Sequence, residues 1–102
     1  MIEQLKRLEG KTLETLDHHK KFTIFTVDHR GILINVNSTQ IDRQILKNQI
    51  EDSWEYLQKN GEMTAVYVLD QGCRSSAYVV AILAEIPGVT YTIRPIRLRY
   101  SK

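Results

Sequence analysis

The side chains able to do chemistry are few in this chain and far apart. The soft metal ligands are His18, His19, His29 and Cys73. No two stand at a zinc-site spacing, such as a Cys pair or two His one helical turn apart. His18 and His19 are adjacent and diverge on a helix. Cys73 sits just before a helix start, which favours a thiolate slightly, but no second and third group orient it as a nucleophile. Asp28, Asp42, Asp52 and Asp70 are dispersed, each with a turn, cap or solvated-helix role. The five glycines stand singly, so no phosphate-cradling loop is present. The sequence therefore predicts no catalytic residue, no metal and no cofactor, and a protein that is not an enzyme.

The basic residues offer a binding chemistry instead. Arg94, Arg97, Arg99 and Lys102 lie close together near the carboxyl end, interleaved with Tyr91 and Tyr100. On a strand Arg97 and Arg99 share a face, opposite Ile96 and Leu98. Such a row can track phosphates, to which arginine bonds bidentately. Lys20, Lys21 and Arg30 flank a hairpin and extend the row only if the terminal strand lies beside it. Arg74-Ser75-Ser76 opens a helix whose free N–H groups suit an anion. Residues 64–71, Gly72 and 75–86 also have the layout of a degenerate helix-turn-helix. A recognition helix needs polar side chains for base edges, whereas this one offers Ala77, Val79, Val80 and Ala81. The bland reading of the arginine row is protection of an exposed sheet edge against aggregation. A net charge of +2 permits nucleic-acid binding without requiring it. Nucleic-acid binding is thus the alternative function.

The elements that must position these groups are legible from periodicity. Residues 2–16 read as an amphipathic helix weakened by Gly10. Residues 22–36 read as a β-hairpin around the turn Asp28-His29-Arg30-Gly31. Both its faces carry apolar groups, with Phe25, Val27 and Leu33 on the second. Residues 40–59 read as a long helix capped by Ser38 or Thr39, with Ile41, Ile45, Ile50, Trp54 and Leu57 inward. Residues 65–71 read as a short helix capped by Thr64 and stopped by Gly72, with a strand as the alternative. Residues 75–86, almost wholly apolar, read as a central buried helix. Residues 89–100 read as one strand whose inward parity shifts at Arg94-Pro95, the mark of a bulge.

Together these give a single α+β domain over residues 1–102. Its expected sheet has three antiparallel strands, the hairpin 22–36 plus the strand 89–100, packed with three or four helices. The second apolar face of the hairpin predicts a protein partner at Phe25, Val27 and Leu33. A symmetric homodimer is the common way to bury such a face. The amino-terminal residues lack the pattern of a signal peptide, and no apolar run approaches the ~20 residues of a membrane span. One cysteine allows no intrachain disulfide. The expectation is a small cytoplasmic accessory module that works through protein contacts and not at a membrane.

Overall fold

A computed structural model describes residues 2–101. The described chain is α+β, with four helices and two antiparallel sheets. In chain order the elements are α1 (Ile2–Lys6), β1 (Thr12–Glu14), β2 (Lys21–Asp28), β3 (Gly31–Val36), β4 (Ile41–Leu46), α2 (Lys47–Asn60), β5 (Glu62–Thr64), α3 (Ala65–Asp70), α4 (Ser76–Leu83), β6 (Val89–Thr92) and β7 (Arg97–Tyr100). The first sheet is a meander, β1-β2-β3-β4, and the second has the order β5-β7-β6.

The hairpin forms where the turn chemistry puts it. Asp28 pairs with Gly31 across a two-residue loop. The Asp28 carboxylate accepts from the Arg30 backbone N–H at 2.9 Å and from its guanidinium at 3.2 Å. Those two bonds hold the Asp28 carboxyl below the usual carboxylate range. Gly31 has a φ of 127°, and a Cβ there would overlap the carbonyl oxygen of Ile45. Glycine is therefore required by both backbone angle and space.

Of the second apolar face expected of the hairpin, Val27 turns inward, while Phe25 and Leu33 stay on the outer face. The β2–β3 register slips between Ile24 and Thr26, so Phe25 is the extra residue of a bulge. Phe22, Ile24 and Val27 consequently all point inward and are fully buried, beside Ile32, Ile34 and Ile45. The outer face also carries polar groups. The Thr12 and Thr23 hydroxyls meet at 2.9 Å, Thr23 donates to Asn37 Oδ1, and Asn35 donates to Asp42 Oδ1.

Four further expectations change. The first helix ends at Lys6, and Gly10 (φ 82°) turns the chain into β1. The long helix starts at Lys47, not at residue 40, because residues 41–46 pair with β3 along their whole length. Ser38 and Thr39 sit in the turn between β3 and β4, where Gln40 N–H donates to the Val36 carbonyl. At the true helix start Gln49 accepts from the Leu46 N–H at 3.1 Å. Residues 89–100 are a hairpin, β6 and β7, in which Val89 faces Tyr100. Its turn, residues 93–96, contains a cis Arg94–Pro95 peptide, and a proline without an N–H suits a turn as well as a bulge. This hairpin pairs with β5, not with the hairpin of the first sheet, so the expected three-stranded sheet is replaced by two sheets.

Two helices follow the sequence closely. Thr64 Oγ1 accepts from Tyr67 N–H at 3.1 Å and caps α3, which settles 65–70 as helix. In α4 the residues Val79, Val80, Ala81, Ile82 and Leu83 are all buried. Helix α2 touches both sheets, β3 and β4 of the first and β5 and β7 of the second. The rings of Trp54 and Tyr100 join α2 to β7 edge-to-face at 4.9 Å, and those of Phe22 and Tyr78 join β2 to α4 at 5.1 Å.

Substituting Gly31→Ala is expected to destabilise the fold by several kcal/mol, on the order of 3, read as a lower urea midpoint; a midpoint unchanged from the parent chain would contradict the close approach to Ile45. Thr64→Ala should cost about 1 kcal/mol through loss of the α3 cap, measured in the same way.

Candidate functional site

The arginine row is built as the strand geometry requires, but it is not free. Arg97 and Arg99 lie on one face of β7, and both reach the Glu62 carboxylate on β5, at 4.0 and 3.7 Å. Glu62 sits directly across the ladder from Arg99. These exposed pairs contribute about 0–1 kcal/mol each, yet they halve the charge the row presents. Arg94 lies in the β6–β7 turn and is exposed. Lys102 lies outside the described residues.

The other basic residues do not extend this row. Lys20 and Lys21 stand at the start of β2, and Arg30 lies beyond its other end, paired with Asp28 at 3.2 Å. Eight strand residues at roughly 3.4 Å each separate them. Both belong to the first sheet, whereas Arg97 and Arg99 belong to the second. The condition that joined them, a terminal strand beside the hairpin, is not met.

The rim at the start of α4 is occupied from within. Arg43 leaves the inner face of β4, and its guanidinium lies 5.6 Å from the centre of the Tyr78 ring. It also donates to the Arg74 carbonyl and to Ser75 Oγ, each at 3.4 Å. Ser75 is buried and Ser76 half-buried, while Arg74 is exposed. The helix that follows shows solvent only its first turn, so it has no polar face for a base edge.

Cys73 is buried, and desolvation raises its thiol pKa. It is thus held as the protonated, unreactive form. His19 meets Glu14 at 3.2 Å and His18 meets Asp17 at 3.4 Å, both at the surface. Among the described residues no three His, Cys, Asp or Glu side chains gather to hold a metal ion. No described helix is long and apolar enough to cross a membrane.

Of the expected protein-binding residues, Val27 is removed from the surface by the bulge and is fully buried. Phe25 stays 47% exposed and Leu33 half-buried, on the same face as exposed Leu46 and among polar neighbours. The larger accessible feature is the free edge of β4, which neighbours only β3. Lys47 N–H donates to the Arg30 carbonyl, one pair beyond the Leu46–Gly31 pair. Alternation of the antiparallel ladder then assigns Ile41, Arg43 and Ile45 to bonding with β3. The N–H and C=O groups of Asp42 and Gln44 face away from the sheet. Ile41 and Leu46 flank them, 58% and 50% exposed.

This edge was hidden in the sequence by the four-residue spacing of Ile41 and Ile45, which fits a helix face and a strand face equally. The β-branched pair either side of Arg43, preceded by the turn-forming Asn37-Ser38-Thr39, is the signal that points to a strand. Comparison of the chain with protein-family models, with curated proteins and with solved structures finds no match.

Proposed function

We propose that the protein is a non-catalytic interaction module that binds protein by strand addition at the free edge of β4, with a second copy as its partner. The observation that carries this reading is the pair of outward-facing backbone groups at Asp42 and Gln44. An edge of this kind can template another strand, and proline, charged side chains, a bulge or a covering element oppose it; β4 carries two charges, Asp42 and Arg43. Strand β4 contains no proline or lysine, and its six-residue register with β3 is unbroken. Arg43, its one basic side chain, is turned inward to the start of α4. Exposed Ile41 and Leu46 supply apolar area at both ends of the edge.

The burial of Cys73, which disfavours its thiolate, and the scatter of the other reactive side chains support the non-catalytic part of the reading. A free thiol of this kind suits the reducing cytoplasm. Nucleic-acid binding draws less support, because Glu62 shares the two arginines of β7 and the other cations stand apart. Pairing one short strand on each side buries little surface, so the dimer belongs at the weak end of the interface range.

Sedimentation velocity over a range of concentrations should show reversible dimerisation that persists as salt is raised, unlike phosphate contacts. Gln44→Pro removes an N–H that β3 does not use, a change tolerated on an edge strand. It should leave thermal unfolding near that of the parent chain and abolish the dimer. A parent chain that stays monomeric at every concentration would falsify this reading, and so would a Gln44→Pro chain that dimerises as well as the parent.

A further inference from the structure

A second feature of the surface is a polar pocket of about 120 Å³ between the start of α2 and α3. On the same measure a single water needs ~10–15 Å³, so the pocket has room for a small polar group. Asn48, Gln49, Asp52 and Ser53 line it from α2, and Tyr67 and Gln71 from the α3 side. Cys73 and Val68 complete its wall.

Most of these polar groups are not satisfied by one another. Gln49 is engaged through its oxygen with the Leu46 N–H, and Ser53 donates its hydroxyl proton to the Gln49 carbonyl. The side chains of Asn48, Asp52, Tyr67 and Gln71 have no hydrogen-bond or ion-pair partner among the described residues. The acceptors available in the lining are thus the Asp52 carboxylate, the amide oxygens of Asn48 and Gln71, the lone pairs of Ser53 Oγ and the Tyr67 phenol. Asp52 is the only charged side chain in the lining, so the pocket favours a cation.

A neighbouring surface hollow shares Asp52, Tyr67 and Gln71 with this pocket and adds a second preference. There Tyr56 and Tyr67 stack at 3.7 Å with their rings 19° apart, beside Glu55 and Lys59. A planar cation rich in N–H groups can bond the acceptors of the pocket and lie against the adjoining aromatic pair. We propose that this pocket takes a guanidinium group, carried on an arginine side chain of a partner protein. Five N–H donors in one plane match several separated acceptors better than the three donors of a compact ammonium. A neutral urea-type group of the same shape lacks the charge that Asp52 selects. The site shares no side chain with the outward edge groups of β4 at Asp42 and Gln44, so it stands or falls apart from strand addition.

The test uses three probes on the full chain: N-acetyl-arginine methylamide, its lysine counterpart and its citrulline counterpart. The side-chain amide signals of Asn48 and Gln71 are followed by NMR in a ¹⁵N-labelled sample. The arginine probe should move both signals with a millimolar Kd. The lysine probe should bind more weakly and the citrulline probe should leave the signals in place. Asp52→Asn, an exposed change without a structural partner, should weaken arginine binding roughly tenfold or more, the scale of a charge-assisted hydrogen bond. Gln44→Pro should bind the arginine probe as the parent does, which separates this site from the β4 edge. Unmoved Asn48 and Gln71 signals at saturating arginine probe, equal binding of citrulline or lysine, or unchanged binding in Asp52→Asn would each overturn the proposal.

Discussion

Between Ile24 and Thr26 the β2–β3 ladder slips by one residue, and the inward face of the first sheet depends on that slip. Strand parity alone carries Phe22 and Ile24 inward and would send Thr26 after them, leaving Val27 in solvent. The extra residue, Phe25, resets the parity, so Val27 joins the core. Burial of a valine contributes about 1.5–3 kcal/mol, and Phe25 points outward with or without the slip. With every other large apolar group of β2 committed inward, the outer face holds threonine, asparagine and aspartate beside Phe25, Leu33 and Leu46. The polar side chains bond one another across the strands. The strand edge and the pocket beside α2 keep unpaired polar groups, and the proposed contacts are drawn from these.

Helix α4 sets the second constraint. Its residues from Val79 to Leu83 are apolar on every side, so it has to be enclosed. The first sheet covers it through Phe22 against Tyr78, while α2 and α3 cover it elsewhere. Helix α2 then meets both sheets, with Ile50, Trp54 and Leu57 buried along one stripe. The two sheets share no strand, and this pair of helices is the material that joins them.

How much of this was legible varied with the kind of signal. The hairpin turn, the Thr64 cap with its Gly72 stop, and the apolar run of α4 each depend on neighbouring residues, and each appeared at its expected place. The short strands did not. Ile41 and Ile45 are four apart, a spacing common to helix and strand, and only pairing with β3 decides between them. Val89 to Tyr100 reads as one strand with a displaced parity, and no local property separates a bulge at Pro95 from a turn there. The edge of β4 was invisible for the same reason. The pocket was missed differently: Asn48 and Asp52 on one helix and Tyr67 and Gln71 on another each look like solvated i,i+4 positions. Their convergence is a property of how α2 and α3 pack.

The two sheets also differ in how far along the chain their partners lie. In the first, each strand pairs with its immediate neighbour across a short loop, so contacts of low sequence separation suffice to build it. In the second, β7 lies between β5 and β6, and Thr64 must find Arg97 across the whole of α3, α4 and β6. Closing that larger loop costs entropy before any ladder bond repays it. During synthesis the meander can assemble early, while Met63 and the Tyr100-facing side of Trp54 wait uncovered until residues 97–100 have been made. The half of the molecule that carries the free β4 edge thus pairs all its strands without the carboxyl-terminal hairpin, whereas β5 has no strand partner until β7 is present.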